Sequence, residues 1–294
     1  MRQELSRDGV WRWSLHPYEG CEMACTFCTL RLDRRDFGAW RDFERRIGVR
    51  NHAVEELQKL LTTEALAGAE WVLGAGADPW QAAEERFRLT RSILAVLAGH
   101  DGLCLHVRTR ASLIARDTDL LQRLAERGRV TVTFSIASLD ERINRLLEPR
   151  APSVFRRLAA MEALARVGLT VGLEVSPVMP GLDEDELGLA SLLTRAANAG
   201  ARFAGYDFLH FAPGQRENFL AHVTTAYPER AVRFRRVIGR KPPSEEERAQ
   251  LGKSFRRLCA DLGLVRREDL GTVHTGRAEA WAQLGLFDAA LDPA

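Results

Sequence analysis

Three stretches of this chain alternate apolar with polar residues, and a helical pattern follows each of them. In Val130–Ile136, residues Val130, Val132, Phe134 and Ile136 share one face and Thr131, Thr133 and Ser135 the other. Leu103, Leu105 and Val107 oppose Cys104, His106 and Arg108, with Arg110 continuing the polar row; Leu169, Val171, Leu173 and Val175 oppose Thr170, Gly172, Glu174 and Ser176. A period of two marks a strand with unlike faces. Further strands are expected at Val10–Leu15, Glu70–Gly76 and Phe203–Phe211, with helices at Ala83–Ala98, Asp117–Arg127, Ser153–Val167 and Asp183–Ala199. Alternation at this spacing predicts parallel βα units, six of them by residue 212. Helices must cover the apolar faces. A closed eight-stranded barrel fills its centre with Val, Ile and Leu, whereas here the polar faces predict a wet interior lined by His106, Arg108, Thr133, Glu174 and Ser176.

The remainder reads differently. A capping box at Ser244-Glu245-Glu246-Glu247 opens a helix to about Leu262, and another is expected at Ser138-Leu139-Asp140-Glu141. Residues 1–212 are therefore expected to form a core barrel and residues 213–294 a helical accessory region packed on it. Arginines crowd Leu30–Arg50 among acids, which predicts a solvated, salt-bridged surface. The basic Arg230–Lys241 stretch hints weakly at nucleic acid, with a solvated helix face the simpler reading. A net charge of +2 on 294 residues supplies no global field toward nucleic acid or membrane. No apolar run approaches the roughly 20 residues of a membrane span, so no membrane partner is expected.

Five cysteines are present, and three cluster in His16-Pro17-Tyr18-Glu19-Gly20-Cys21-Glu22-Met23-Ala24-Cys25-Thr26-Phe27-Cys28. Pro17 and Gly20 mark a turn, which puts the thiols on a loop. Three thiolates can close on one soft metal centre but are one short of the four that a fully protein-ligated cluster or zinc site takes. Two readings follow: a [4Fe–4S] cluster with one iron open to an exogenous ligand, or a zinc site completed by His16. Free thiolates and iron–sulfur centres point to a reducing cytoplasm.

The C-x3-C-x2-C spacing, with Phe27 before the third cysteine, resembles the radical S-adenosylmethionine (SAM) superfamily. Gly74-Ala75-Gly76-Ala77-Asp78-Pro79-Trp80-Gln81, Thr109 to Asp117, Leu146 to Pro152 and Val175 to Leu182 are similar to segments of the subgroup containing spore photoproduct lyase and its uncharacterised bacterial relatives. The resemblance covers about residues 10–212. It implies an α/β fold, a partial (β/α)6 barrel with a C-terminal helical extension. It also implies a cluster on Cys21, Cys25 and Cys28, and SAM at the mouth beside Phe27, Gly74, Gly76, Asp78, Arg110 and Ser135. The implied chemistry is one-electron reduction of SAM to a 5′-deoxyadenosyl radical that abstracts hydrogen from a substrate, fed by an electron donor of flavodoxin or ferredoxin type. A nucleic-acid-related substrate is one expectation. The rival is a non-enzymatic zinc- or Fe–S-binding module that interacts with nucleic acid.

Departures from the subgroup bear on the substrate. Glu19, Met23, Thr29 and Trp80 replace the usual Arg, His, Tyr and Tyr, and Arg110 stands where lysine is common. The resemblance places the lyase's hydrogen-donating cysteine at the end of the second strand, where Gly74-Ala75-Gly76-Ala77 offers no thiol. Cys104 begins the third strand, roughly 16 Å below the mouth at about 3.3 Å per residue. The chain is therefore expected not to be a spore photoproduct lyase itself.

Overall fold

Apolar residues with period two supply the sheet. The computed structural model describes residues 2–5, 11–33, 42–63, 70–179, 186–211, 215–226, 228–238 and 244–270. Its strands are β1 (Arg2–Leu5), β2 (Trp11–Leu15), β3 (Tyr18–Glu19), β4 (Gly48–Val49) and β5 (Glu70–Leu73). They continue with β6 (Cys104–Thr109), β7 (Arg129–Ile136), β8 (Thr170–Val178), β9 (Phe203–Phe208) and β10 (Val265–Arg266). Eight of them form one sheet in the order β1-β2-β5-β6-β7-β8-β9-β10, while β3 and β4 pair separately. From β2 to β10 the pairing is parallel, and β1 alone runs antiparallel, against β2. The six expected βα strands are neighbours in chain order, the usual arrangement for consecutive elements. The protein is thus α/β, a partial barrel with C-terminal helices.

The apolar faces turn outward onto helices, including Leu89–Leu97, Thr118–Arg127, Val154–Arg166 and Glu186–Asn198. Val107, Val132, Phe134, Val171 and Leu173 are all fully buried there. Each such side chain contributes about 1.5–3 kcal/mol of transfer free energy.

Register stacks the inward face into layers. His106 lies level with Thr131 and Thr170; Arg108 with Thr133, Gly172 and Phe203; Ser135 with Glu174 and Gly205. The lumen is interrupted at its middle layer. A Cβ on Gly172 would sit 2.5 Å from the Phe203 ring, so that buried ring occupies the space the glycine leaves. The expected open interior begins only above this plug.

Several local expectations are corrected. The helix expected over Ala83–Ala98 is two, Ala83–Phe87 and Leu89–Leu97, broken where Arg88 takes the left-handed conformation at φ 48. The cap of helix Glu141–Leu147 is Asp140, which accepts from Arg142 N, rather than a box begun by Ser138. Arg31, in the supposedly solvated arginine-rich stretch, is buried; it donates to Cys25 O and pairs with Glu44 at 2.7 Å.

The C-terminal helices are Gln215–Ala226, Pro228–Ile238 and Glu245–Asp261, the last opened by the expected Ser244–Glu247 capping box. Beyond them β10 and a 3₁₀ turn, Arg267–Asp269, return to the sheet edge beside β9. Pro213-Gly214, Pro242-Pro243 and residues 271–294 lie outside the described residues, as do Pro180, Gly181 and Leu182 of the fourth motif.

Candidate functional site

The three clustered cysteines sit on an irregular loop between β3 and helix Leu30–Asp33, held from three sides. Cys21 N donates to Phe43 O, and a Cβ on Gly20 would come within 2.7 Å of both Phe43 O and Arg46 O. Gln81 takes Glu22 N on its Oε1 and donates Nε2 to Gly20 O, while Glu22 accepts from Ala83 N. Thr26 N donates to Leu147 O, and Arg150 N to Met23 O. Backbone groups in a loop need such partners once buried. Their supply here comes from the Asp78-Pro79-Trp80-Gln81 and Leu146–Pro152 motifs, which explains in protein terms why those segments accompany the cysteines.

All three thiols face one cavity of about 570 Å³ at the C-terminal ends of the strands. That is the size of a small-molecule site. Gly74, Gly76, Asp78, Arg110, Ser135, Phe27, Arg108 and Ser176, all expected from sequence, line it too. His106, Thr133 and Glu174 do not reach the wall. His106 and Thr133 lie in the layers at and below the Phe203 plug, and Glu174 is wholly buried behind the lining.

The glycines work partly against protein rather than ligand. At Gly74 φ is +95, and a Cβ would fall 2.0 Å from Arg108 O; at Gly76 it would meet His16 Nδ1 at 2.8 Å. The carboxylate of Asp78 accepts from Trp80 N, Thr109 Oγ1 and Arg110 N, tying the ends of β5 and β6 together. Burial raises its pKa, opposed by those donors. Arg110 extends over the Phe27 ring at 5.5 Å and pairs through Nε with Glu148 Oε1 at 2.5 Å. Glu148 is fully buried and holds Arg157 on its other oxygen at 2.6 Å.

The opposite wall comes from β9 and the C-terminal helices: Tyr206, Asp207, Phe208, Phe211, Arg216, Ile238, Glu247 and Arg248. Arg248 stacks over Phe208 at 5.3 Å. Sequence reading missed this half. Asp207 was findable, since it stands two residues beyond Gly205 on the inward face of β9. The helical contributors carry no periodic signal that aims them at a barrel mouth.

Behind Asp207 lies a buried charge cluster. Arg267 Nη1 is 2.6 Å from Glu174 Oε2 and 3.6 Å from Asp207 Oδ2, and Arg108 Nη2 is 3.6 Å from the same Asp207 oxygen. Burial pushes Glu174 up to about 7; Arg267 and Arg108 pull it down, and neighbouring Asp207 pushes it further up.

The thiols suit a metal centre. Burial, reinforced by Asp78, pushes Cys21 up to about 12; burial raises Cys25 well above the ordinary thiol range and raises Cys28 as well. Three thiols so placed on one wall ionise at ordinary pH only beside a strong cation such as a metal ion.

The description "Radical SAM superfamily" matches residues 15–193. An uncharacterized protein of Mycobacterium tuberculosis is 31% identical over 234 residues, covering 79% of this chain and 68% of its own. One from Methanocaldococcus jannaschii is 25% identical over 220 residues, covering 74% and 77%. Among solved structures, a spore photoproduct lyase with bound AdoMet and dinucleoside spore photoproduct aligns at TM-score 0.61 and 18% identity, covering 90% of this chain and 78% of that one. SuiB of Streptococcus suis bound to precursor peptide SuiA aligns at 0.56 and 14%, covering 87% and 48%. These two likenesses concern the fold. No helix among the described residues is long and apolar enough to cross a membrane. The superfamily match runs from the end of β2 into helix Glu186–Asn198 and takes in the cysteine loop and the sheet through β8, so this chain belongs to the radical SAM superfamily.

Proposed function

We propose that this protein is a radical SAM enzyme of unassigned substrate, with a [4Fe–4S] cluster on Cys21, Cys25 and Cys28 and SAM beside it in the cavity. The observation that carries this is the convergence of these three thiols, with Phe27 and Arg110, on a small-molecule-sized cavity at the strand ends. A cluster held by Cys21, Cys25 and Cys28 would supply one-electron reduction of SAM, and with it radical hydrogen abstraction from a substrate.

The residues around it bind, orient and exclude water. Arg110, steered by Glu148 and the Phe27 ring, presents its guanidinium to the carboxylate of SAM. Gly74, Gly76 and Ser135 border the same ligand, while Asp78 fixes the backbone beneath it. Phe208, Phe211, Met179 and Ile238 supply the apolar part of the remaining lining and limit water at the reacting carbon.

Spore photoproduct lyase activity is not expected of this chain. Among the described residues the thiols lining the cavity are the three cluster cysteines. Cys104 is buried at the start of β6 with Arg129 Nη2 3.0 Å from its sulfur, and Cys259 is buried on helix Glu245–Asp261. Neither serves as a hydrogen donor at the mouth.

The test is anaerobic reconstitution. About four irons and four sulfides per chain are expected, lost in Cys21→Ala, Cys25→Ala or Cys28→Ala and kept in Cys104→Ala and Cys259→Ala. Reduced protein should convert SAM to 5′-deoxyadenosine. Stoichiometric zinc without a brown chromophore would return the chain to the zinc-module reading. Clean multiple-turnover repair of a dimer-bearing oligonucleotide would overturn the expectation of no lyase activity.

A further inference from the structure

The surface behind the cysteine loop is basic. Helix Asp42–Arg45 ends in the exposed Arg45 and Arg46. Helix Glu141–Leu147 buries Ile143, Asn144, Leu146 and Leu147 and leaves Arg142 and Arg145 on its outer face, about one turn apart. Arg150 and Arg156 follow, both exposed, and Phe155 beside Arg156 is 79% exposed. Two contacts join these arginines across one surface. Val154 N donates to Glu141 Oε1 at 2.6 Å, which sets the start of helix Val154–Arg166 against the start of the shorter helix, and Arg150 Nη1 reaches Glu44 O at 3.4 Å. The acids on this face are engaged: Asp42 pairs with Arg46 at 3.7 Å, Asp140 accepts from Arg142 N, and Glu141 from Val154 N. The surface therefore carries a positive excess although the whole chain is near neutral.

This face lies one hydrogen bond from the thiol-bearing backbone. Arg150 N donates to Met23 O at 3.3 Å, midway between Cys21 and Cys25, and Thr26 N donates to Leu147 O at 2.8 Å, between Cys25 and Cys28. None of the six arginines lines the cavity. A polyanionic substrate held by them would stay outside the space where the reacting atoms meet. An electron has no such requirement: it needs a short path to sulfur, not entry into the cavity.

We propose that this arginine face docks the protein that reduces the cluster, an acidic one-electron carrier of the flavodoxin type; the inference rests on the proposed radical SAM function. The carrier is oxidised by one electron, the iron–sulfur centre on Cys21, Cys25 and Cys28 is reduced by one, no bond breaks and no proton moves. The size of the face suits this. Electron-transfer encounters are among the smallest specific interfaces, below about 1,200 Å² of total buried surface, and arginines around an exposed aromatic are what such contacts favour. Opposite charge acts mainly on the rate of encounter, so the carrier can leave after each electron.

The experiment drives SAM cleavage in the reconstituted protein with two reductants: dithionite, a small ion that needs no docking surface, and purified flavodoxin in its fully reduced form. In the double variant Arg142→Glu, Arg145→Glu the flavodoxin-driven rate of 5′-deoxyadenosine formation should fall about tenfold or more at low salt, with the dithionite-driven rate unchanged. Added salt should slow the wild type toward the variant. Arg236→Glu, exposed on helix Pro228–Ile238 in the other basic stretch, should match wild type with both reductants. Docking is also read without turnover, by titrating nitrogen-15-labelled flavodoxin with the oxidised protein; its amide shifts should weaken at least tenfold in apparent affinity with the double variant. Equal flavodoxin-driven rates in wild type and double variant overturn the proposal, as does a loss that is the same with dithionite. Binding of a duplex oligonucleotide that the double variant loses while its flavodoxin titration stays unchanged assigns the face to nucleic acid and overturns it too. Inactivity of the wild type with both reductants would sink the enzyme reading, and the flavodoxin titration would then decide the docking face by itself: weaker in the double variant supports it, unchanged overturns it.

Discussion

Under the proposed function, Arg110 is a side chain held in place before its ligand arrives. Its guanidinium is fixed by Glu148 and the Phe27 ring, so little rotamer entropy remains to be lost on binding. Arg110→Ala should weaken SAM binding to the reconstituted protein by about 1.5–3 kcal/mol, the worth of a charged hydrogen bond, measured calorimetrically. Folding stability should fall less, because Glu148 keeps Arg157. Glu148→Ala is the opposite case. It leaves two guanidinium groups without their shared counter-charge, one of them fully buried, and should cost about 3–5 kcal/mol in urea unfolding. The cysteines and Arg110 were legible because their chemistry is written in spacing and in strand alternation. Asp78 was legible as a position and not as a role, since its acceptors are spent on Trp80, Thr109 and Arg110 of the protein itself.

Strand order and strand faces could be read from sequence because period-two patterns in β6, β7 and β8 are long enough to be unambiguous. β10 could not: two residues between a helix and a 3₁₀ turn carry no period, and only pairing with β9 makes them a strand. β1 was hidden for a related reason: Arg2–Leu5 is four residues with no apolar alternation, and only its pairing with β2 makes it a strand. The lumen plug was hidden because it needs register, which puts Phe203 of one strand over Gly172 of the next. At the end of β5, Gly74 joins two elements by close approach. Gly74→Ala must accommodate a methyl group 2.0 Å from Arg108 O at a positive φ. Strain of about 1–3 kcal/mol is expected, seen as a lower denaturation midpoint. A shift of Arg108 should accompany it, seen as altered amide signals in β6.

For the molecule as a whole, the buried glutamate makes stability depend on pH. Its folded pKa, about 7, lies above the unfolded value, so the fold holds this proton more tightly than the open chain does. The stabilisation is fully present below the unfolded pKa and is lost as pH rises through about 7. Wild type should therefore lose unfolding free energy relative to Glu174→Gln as pH rises from about 5 to about 8, followed by urea titration at each pH. An unchanged difference would mean that Glu174 titrates alike in both states.

The return of β10 to the sheet has a consequence for biosynthesis. Arg267 is the counter-charge nearest to Glu174, yet the ribosome makes it long after β8. At roughly 5–20 residues per second, several seconds separate the two. During that interval the nascent barrel has its cysteine loop and most of its strands but an open seam beside β9 and an acid without its partner. The last step of assembly is then the arrival of the C-terminal segment, and a stalled or clipped chain ending before it would display an unfinished sheet edge to chaperones and proteases.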